Sequence, residues 1–331
     1  MTAAADVERI RGVAAAALAW TGEHRADFAL GEEAFTAEGP VDLTWKPLGE
    51  LAQTCVGVRR RTPRSDPLHA CASDLLAFAW RQTGRGELFL RLQELEPFAT
   101  YPLEVYSVFA GAGFRHAGYE AAAATVARTR GWRLTEQEPT RRLGLLNAER
   151  RSGIHRQERV AHALRRTWLG GLPEPWAFER AAGYALTHVV FHLTDWGRRE
   201  EDVPADLADY LSDWLPPWLD TCLDAGLWDL GCELLIVAAS LPRPTDTALL
   251  RDAWARLVHA QHDSGAVPLT APDPARDTAA DPDPGFVHCY HSTLMAAFAA
   301  ALSADRLTRG PDRPGPRAAE TRTRYGGGVP G

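Results

Sequence analysis

The sequence predicts an all-α protein, a single-domain (α/α)6 toroid in which helical hairpins close into a barrel. Three observations point there. Apolar residues recur at i, i+3, i+4 and i+7 between Gly and Pro breaks, while the period-two alternation of strands is almost absent. The periodic stretches come in pairs. The second member of most pairs carries the lower charge, as the inner helix of a two-ring barrel should.

A lone helix near 6–20 leads the chain. The pairs then run 43–60 with 67–82, 86–97 with 102–115, and 118–131 with 140–152. The second half pairs 157–169 with 176–196, 206–225 with 229–241, and 246–262 with 286–304. Six such hairpins form a repeat architecture, each unit burying its apolar face against the next. The pair 118–152 fits least well, because RRLGLLNAERR is heavily charged for an inner helix. Residues 268–285, PLTAPDPARDTAADPDPG, make a Pro/Asp-rich loop long enough to suggest a functional lid. From about 306 the apolar content is lost, which divides the chain into a helical domain (1–305) and a disordered tail (306–331).

Composition narrows the partners. The chain has 331 residues and a net charge of −7, which gives no reason to expect nucleic acid or an anionic membrane surface. No stretch reaches the roughly 18 apolar residues of a membrane span, and the N-terminus lacks a signal-peptide layout. Five cysteines without a CxxC pair argue against a disulfide framework and for a reduced, cytoplasmic setting. One lysine (Lys46), one asparagine (Asn147) and three isoleucines stand among abundant Ala, Arg, Gly and Pro, the bias of a GC-rich bacterial genome. Walker, GxGxxG, GxSxG and zinc-ribbon motifs are all absent, so nucleotide-binding and serine-hydrolase readings have no support.

Chemistry concentrates in three short motifs. ALTHVVFHLTDWG places His188, His192 and Asp195 at i, i+4 and i+7, one face of a helix. An HxxxH pair can turn both imidazoles onto one ion, although histidines on an apolar face also occur as hydrogen-bonded core residues. GFVHCYHSTL adds His288 and His291 around Cys289, and GLWDLGCELL adds Asp229, Cys232 and Glu233. Four of the eleven histidines in two apolar motifs are more than packing needs, and unpartnered buried imidazoles would each cost roughly 1–3 kcal/mol. The expectation is one divalent metal, zinc, iron or copper, held by His188, His192 and His291, with Asp229 as fourth ligand or outer acceptor. Glu233, Glu104 and His288 are the candidate proton carriers, and Asp195 would hold His192 in one tautomer. A metal-free pocket of histidine–carboxylate pairs, or a barrel that only binds a partner, remain open on the same residues. The arginine runs 58–64 and 147–159 and the eleven tryptophans read as solvated helix ends and packing between hairpins.

The last two hairpins resemble the α/α-toroid proteins, the terpenoid cyclases and protein prenyltransferase β-subunits. LVHAQHDSGAVPL followed by YHSTLMAAFAAAL is similar to their Gln…Gly turn and inner helix. The resemblance implies zinc ligands at Asp229, Cys232 and His291, although two residues rather than one separate Asp229 from Cys232. The DxDD motif of proton-initiated cyclases is missing. Together these features lead to the expectation of a metal-dependent enzyme of bacterial specialised (natural-product) metabolism. It would act on a small apolar or peptidyl substrate in a central cavity.

Overall fold

The computed structural model describes residues 3–36, 40–154, 159–243, 245, 247–271 and 285–309. They are helical throughout, without a strand among them. The chain runs α1 (Ala3–Glu23), α2 (Trp45–Arg61), α3 (Pro67–Gln82), α4 (Glu87–Leu95) and α5 (Tyr101–Gly111). It continues with α6 (Ala117–Ala127), α7 (Arg130–Leu134), α8 (Pro139–Arg151), α9 (Val160–Leu164) and α10 (Arg180–Leu193). The last four are α11 (Ala205–Asp224), α12 (Trp228–Ser240), α13 (Thr247–Ala260) and α14 (Tyr290–Arg309). No helix of the described residues is long and apolar enough to cross a membrane. All five cysteines are free thiols.

Burial follows composition. In α12 every residue from Asp229 to Ser240 is buried, and in α14 almost everything from Tyr290 to Ala304 is. Helices apolar all round belong at the centre of a fold rather than on its surface. The small side chains of α14 allow close approach. A Cβ at Gly57 of α2 would lie 2.3 Å from the Phe298 ring, so that contact requires glycine. Helix starts are locally encoded, as at α3, where Asp66 accepts from Leu68 N at 2.9 Å ahead of Pro67.

The packing order is the informative part. Helix α14 lies against α2, α2 against α5, α5 against α8, α8 against α10, α10 against α12, and α12 returns to α14. Helices α1, α3, α4, α11 and α13 pack outside this series. One expectation is corrected here. In the first hairpin the member of this series is α2, not 67–82, since α3 packs on α2 and α1. Helix α8 takes its expected place in the series despite its charge, because its charged ends find partners: Glu149 accepts from Trp132 Nε1 at 2.7 Å, and Arg151 pairs with Asp195.

Other boundaries also shift. The 118–131 stretch breaks into α6 and α7 at Thr129, whose side chain caps α7. The 157–169 helix is reduced to α9, and α14 begins at Tyr290 and runs to Arg309, past the boundary expected near 306. The bulk of the expected lid (272–284) and of the tail (310–331) lies outside the described residues.

Gly265 closes the turn after α13 with φ +94°, and a Cβ there would sit 2.2 Å from the Ala16 carbonyl oxygen. An L-residue pays ~1–2 kcal/mol for left-handed backbone and ~1–3 kcal/mol for overpacking. Gly265→Ala should therefore lower the unfolding free energy by about 3 kcal/mol, read as the urea midpoint at unchanged slope.

Candidate functional site

Four helices of the inner series bring titratable side chains to one place. Asp229 and Glu233 sit one turn apart on α12, His188 on α10, His291 at the second position of α14, and Glu50 on α2. Leu269 ties two of the helix starts together, its carbonyl accepting from Asp229 N and its N–H donating to His288 O, each at 3.2 Å.

The functional atoms face one another closely. His291 Nε2 is 3.1 Å from Glu233 Oε1 and 3.5 Å from Asp229 Oδ1, and His188 Nε2 is 3.9 Å from Glu233 Oε1. The far side of each group is held by another residue. Glu50 Oε2 meets His291 Nδ1 at 2.8 Å. Tyr184 Oη donates to Asp229 Oδ2 at 2.7 Å, and Thr187 Oγ1 donates to Glu233 Oε2 at 2.5 Å. Asp229 Oδ1 is buried with no hydrogen-bond donor. Glu233 is 1% exposed and His188 45%, so His188 is the solvent-facing member.

Electrostatics follow from this crowding. Burial opposes charge on His291, yet Glu50, Glu233 and Asp229 together hold the imidazole protonated well above its ordinary range. Burial alone would raise Glu233, but the hydrogen bond with His291, helped by His188 and Thr187, keeps it below the usual carboxylate range. Asp229 is pushed up, by burial first and by its carboxylate neighbours Glu233 and Glu50, against the pull of His291. Three carboxyl groups around one imidazolium leave the cluster short of positive charge.

The predicted residues divide. His188, Asp229, Glu233 and His291 converge. His192 does not, since its ring centroid lies 6.3 Å from that of His188 and its Nε2 lies against Gly144 of α8. Burial, with His188 and Arg151 nearby, lowers the His192 pKa to about 3, so the ring is neutral. Asp195 is not on the α10 face at all. The helix ends at Leu193, Asp195 and Trp196 adopt φ of +50° and +60°, and the carboxylate turns to Arg151 and Arg198. His288 is exposed in a short 3-10 turn before α14. Cys232 is buried, and burial with the flanking Asp229 and Glu233 pushes its thiol up, the state of a small hydrophobe rather than a ligand. Glu104 accepts from Thr100 Oγ1 at 2.7 Å and pairs with Arg141 at 3.4 Å, away from the cluster.

Beside the cluster lies a cavity of about 240 Å3 walled by α2, α5, α8 and α10. Glu50, Gln53, Glu104, Arg151 and His192 line it, together with the chain's single lysine and single asparagine, Lys46 and Asn147. Sequence reasoning missed Glu50 because α2 was assigned to the outer ring. The available signal was the stretch PLGELAQTCVGV, in which Glu50 and Gln53 interrupt a run that is apolar on nearly every side.

Residues 14–301 match the family described as "Domain of unknown function (DUF6895)", and the chain belongs to that family. Searches of curated proteins and of solved structures returned no match.

Proposed function

We propose that this protein is a metal-dependent enzyme whose centre is built by His188, Asp229, Glu233 and His291, beside a cavity for a small polar or peptidyl substrate. The carrying observation is the set of edges of 3.1, 3.5 and 3.9 Å between four potential ligand atoms, one of which, Asp229 Oδ1, is buried without a donor. Ligands ~2.1 Å from zinc in a tetrahedral shell lie roughly 3.4 Å apart. Among the described residues no group of three or more His, Cys, Asp or Glu side chains stands, as placed, in a geometry that could hold a metal ion. The widest edge belongs to His188, the side chain with most freedom to move. Outer partners on Glu233, Asp229 and His291 match the way metal ligands are oriented by the residues behind them.

Two carboxylates and two imidazoles suit zinc or iron(II). An ion held there would supply a Lewis acid to the substrate. The protein's own contribution is orientation and proton handling. Tyr184 and Thr187 hold the carboxylates of α12, and Glu50 fixes the ring of His291. Because Glu50 also lines the cavity, it is the group placed to exchange a proton between substrate and His291. Glu233, with both oxygens engaged, is a holder and not a general base. The charged lining of the cavity favours a polar substrate over an apolar one. The closed series of inner helices supports the (α/α)6 toroid arrangement and the likeness of the C-terminal hairpins to that class.

A second reading is metal-free acid–base catalysis, favoured by the carboxylates on both ring nitrogens of His291. Elemental mass spectrometry of tag-free protein separates the two. The metal reading expects near one equivalent of zinc or iron, lost in His291→Ala. Folded protein that takes up neither ion after anaerobic reconstitution would leave only the acid–base reading standing.

A further inference from the structure

The cavity beside the cluster has a pair of donors that the proposed centre does not use. Gln53 on α2 is 3% exposed, and the Arg151 side chain on α8 is 6% exposed. Arg151 Nη1 donates to Gln53 Oε1 at 2.8 Å, and this contact fixes which way the amide points. Arg151 Nε donates to Asp195. What is left over is Gln53 Nε2 and Arg151 Nη2, both buried and both without an acceptor. Both residues face the cavity.

Leaving such donors unpaired costs roughly 1–3 kcal/mol each, more for a charged group, so they are groups a ligand would satisfy. Asp42, Glu50 and Glu104 line other walls of the cavity, but the charge around Arg151 itself favours an anion. Asp195 is the one carboxylate between Arg151 and Arg198, the latter at 3.2 Å. Arg60 adds a third guanidinium, whose pKa is lowered to about 10 by burial first and by Arg151 and Arg198 as well. A guanidinium N–H beside an amide N–H is a fork suited to two oxygens of one group. Asn147 and Ser107 supply further polar atoms on the same walls.

We propose that Gln53 Nε2 and Arg151 Nη2 bind an oxyanion, a carboxylate or phosphoryl group, at one end of a small ligand in this cavity. The inference stands on the cavity alone and holds whether or not an ion sits among His188, Asp229, Glu233 and His291. Glu50 lines the same space while bonded to His291, so a ligand anchored by its anionic end shares a wall with the cluster. At about 240 Å3 the cavity has room for a small metabolite.

The test is calorimetric titration of the full chain with succinate and with inorganic phosphate. One-to-one saturable binding of at least one probe is expected, weakened at least tenfold in Gln53→Glu. That change keeps the oxygen that Arg151 Nη1 needs and puts a repelling carboxylate where the free N–H stood. Gln53→Met, which only deletes the donor, serves if Gln53→Glu fails to fold, and the same loss is expected. Tighter succinate identifies the group as carboxylate, tighter phosphate as phosphoryl. Binding of neither probe at millimolar concentration, or binding unchanged in a folded Gln53 variant, would overturn the proposal.

Discussion

Replacing Arg151 by methionine is expected to destabilise the fold by about 3 kcal/mol at neutral pH, most of which should disappear in acid. Breaking a buried ion pair by removing one partner costs ~3–5 kcal/mol, because the other charge stays behind uncompensated. Asp195 would keep Arg198, which argues for the lower end of that range. The wild-type Asp195 pKa is depressed; burial opposes this, and Arg151 first, then Arg60 and Arg150, overcome it. A depressed carboxylate pKa means that the stability is fully present above the unfolded value of ~3.9 and is lost as pH falls through the folded value. In Arg151→Met burial acts with less opposition and the Asp195 pKa rises. The deficit against wild type should therefore be full at pH 7 and shrink as the pH falls toward 4 and the variant's Asp195 takes up a proton before the wild type's does. Urea titrations at the two pH values measure it. A deficit of the same size at both would show that the lost packing of the arginine stem, and not the stranded charge, sets the effect.

The second large effect is a graded loss of metal affinity. If Asp229 and Glu233 are ligands, Asp229→Asn and Glu233→Gln should abolish stoichiometric binding of zinc. If Glu50 and Tyr184 only orient ligands from behind, Glu50→Gln and Tyr184→Phe should retain the ion but bind it ~10–100-fold more weakly. Competition against a chromophoric chelator resolves that difference. His192→Ala should leave affinity within a few-fold of wild type, since its ring lies on the Gly144 side of α10. Equal losses for Glu50→Gln and Glu233→Gln would place Glu50 among the ligands. Full retention in all four ligand and partner variants would remove the centre altogether.

Most of the secondary structure was legible in the sequence, and so were four of the side chains that converge on the candidate site. Helical periodicity depends on neighbours within two turns, so α2, α3, α11 and α12 lie within a residue or two of where the spacing puts them. The histidine and Asp/Glu motifs were equally visible, because polar groups inside apolar helices have few uses. The motifs hold His188, Asp229, Glu233 and His291, but they hold His192 and His288 as well, and only packing separates the two sets. Details at helix ends were less accessible. The residues ALTHVVFHLTDWG continue a helical pattern through Asp195, and nothing local announces that Asp195 and Trp196 turn left-handed. That turn is maintained from a distance, by Arg151 on Asp195 and by Arg61 donating to the Gly197 carbonyl.

The chain's own pattern thus determined that it is all-helical and which helices are apolar all round. It also marked the short motifs that supply the candidate site, since burial and amphipathicity are written residue by residue. Which helix of the first hairpin faces inward was decided only by packing, and with it the recruitment of Glu50 and Gln53. The physical reason is that a side chain's partners come from helices far away in sequence. Glu50 reaches His291 across 241 positions, and Arg151 reaches Gln53 across 98. The charge on α8 is prohibitive in the sequence alone because its partners, the Trp132 N–H for Glu149 and the Asp195 carboxylate for Arg151, are assembled only when the helices pack.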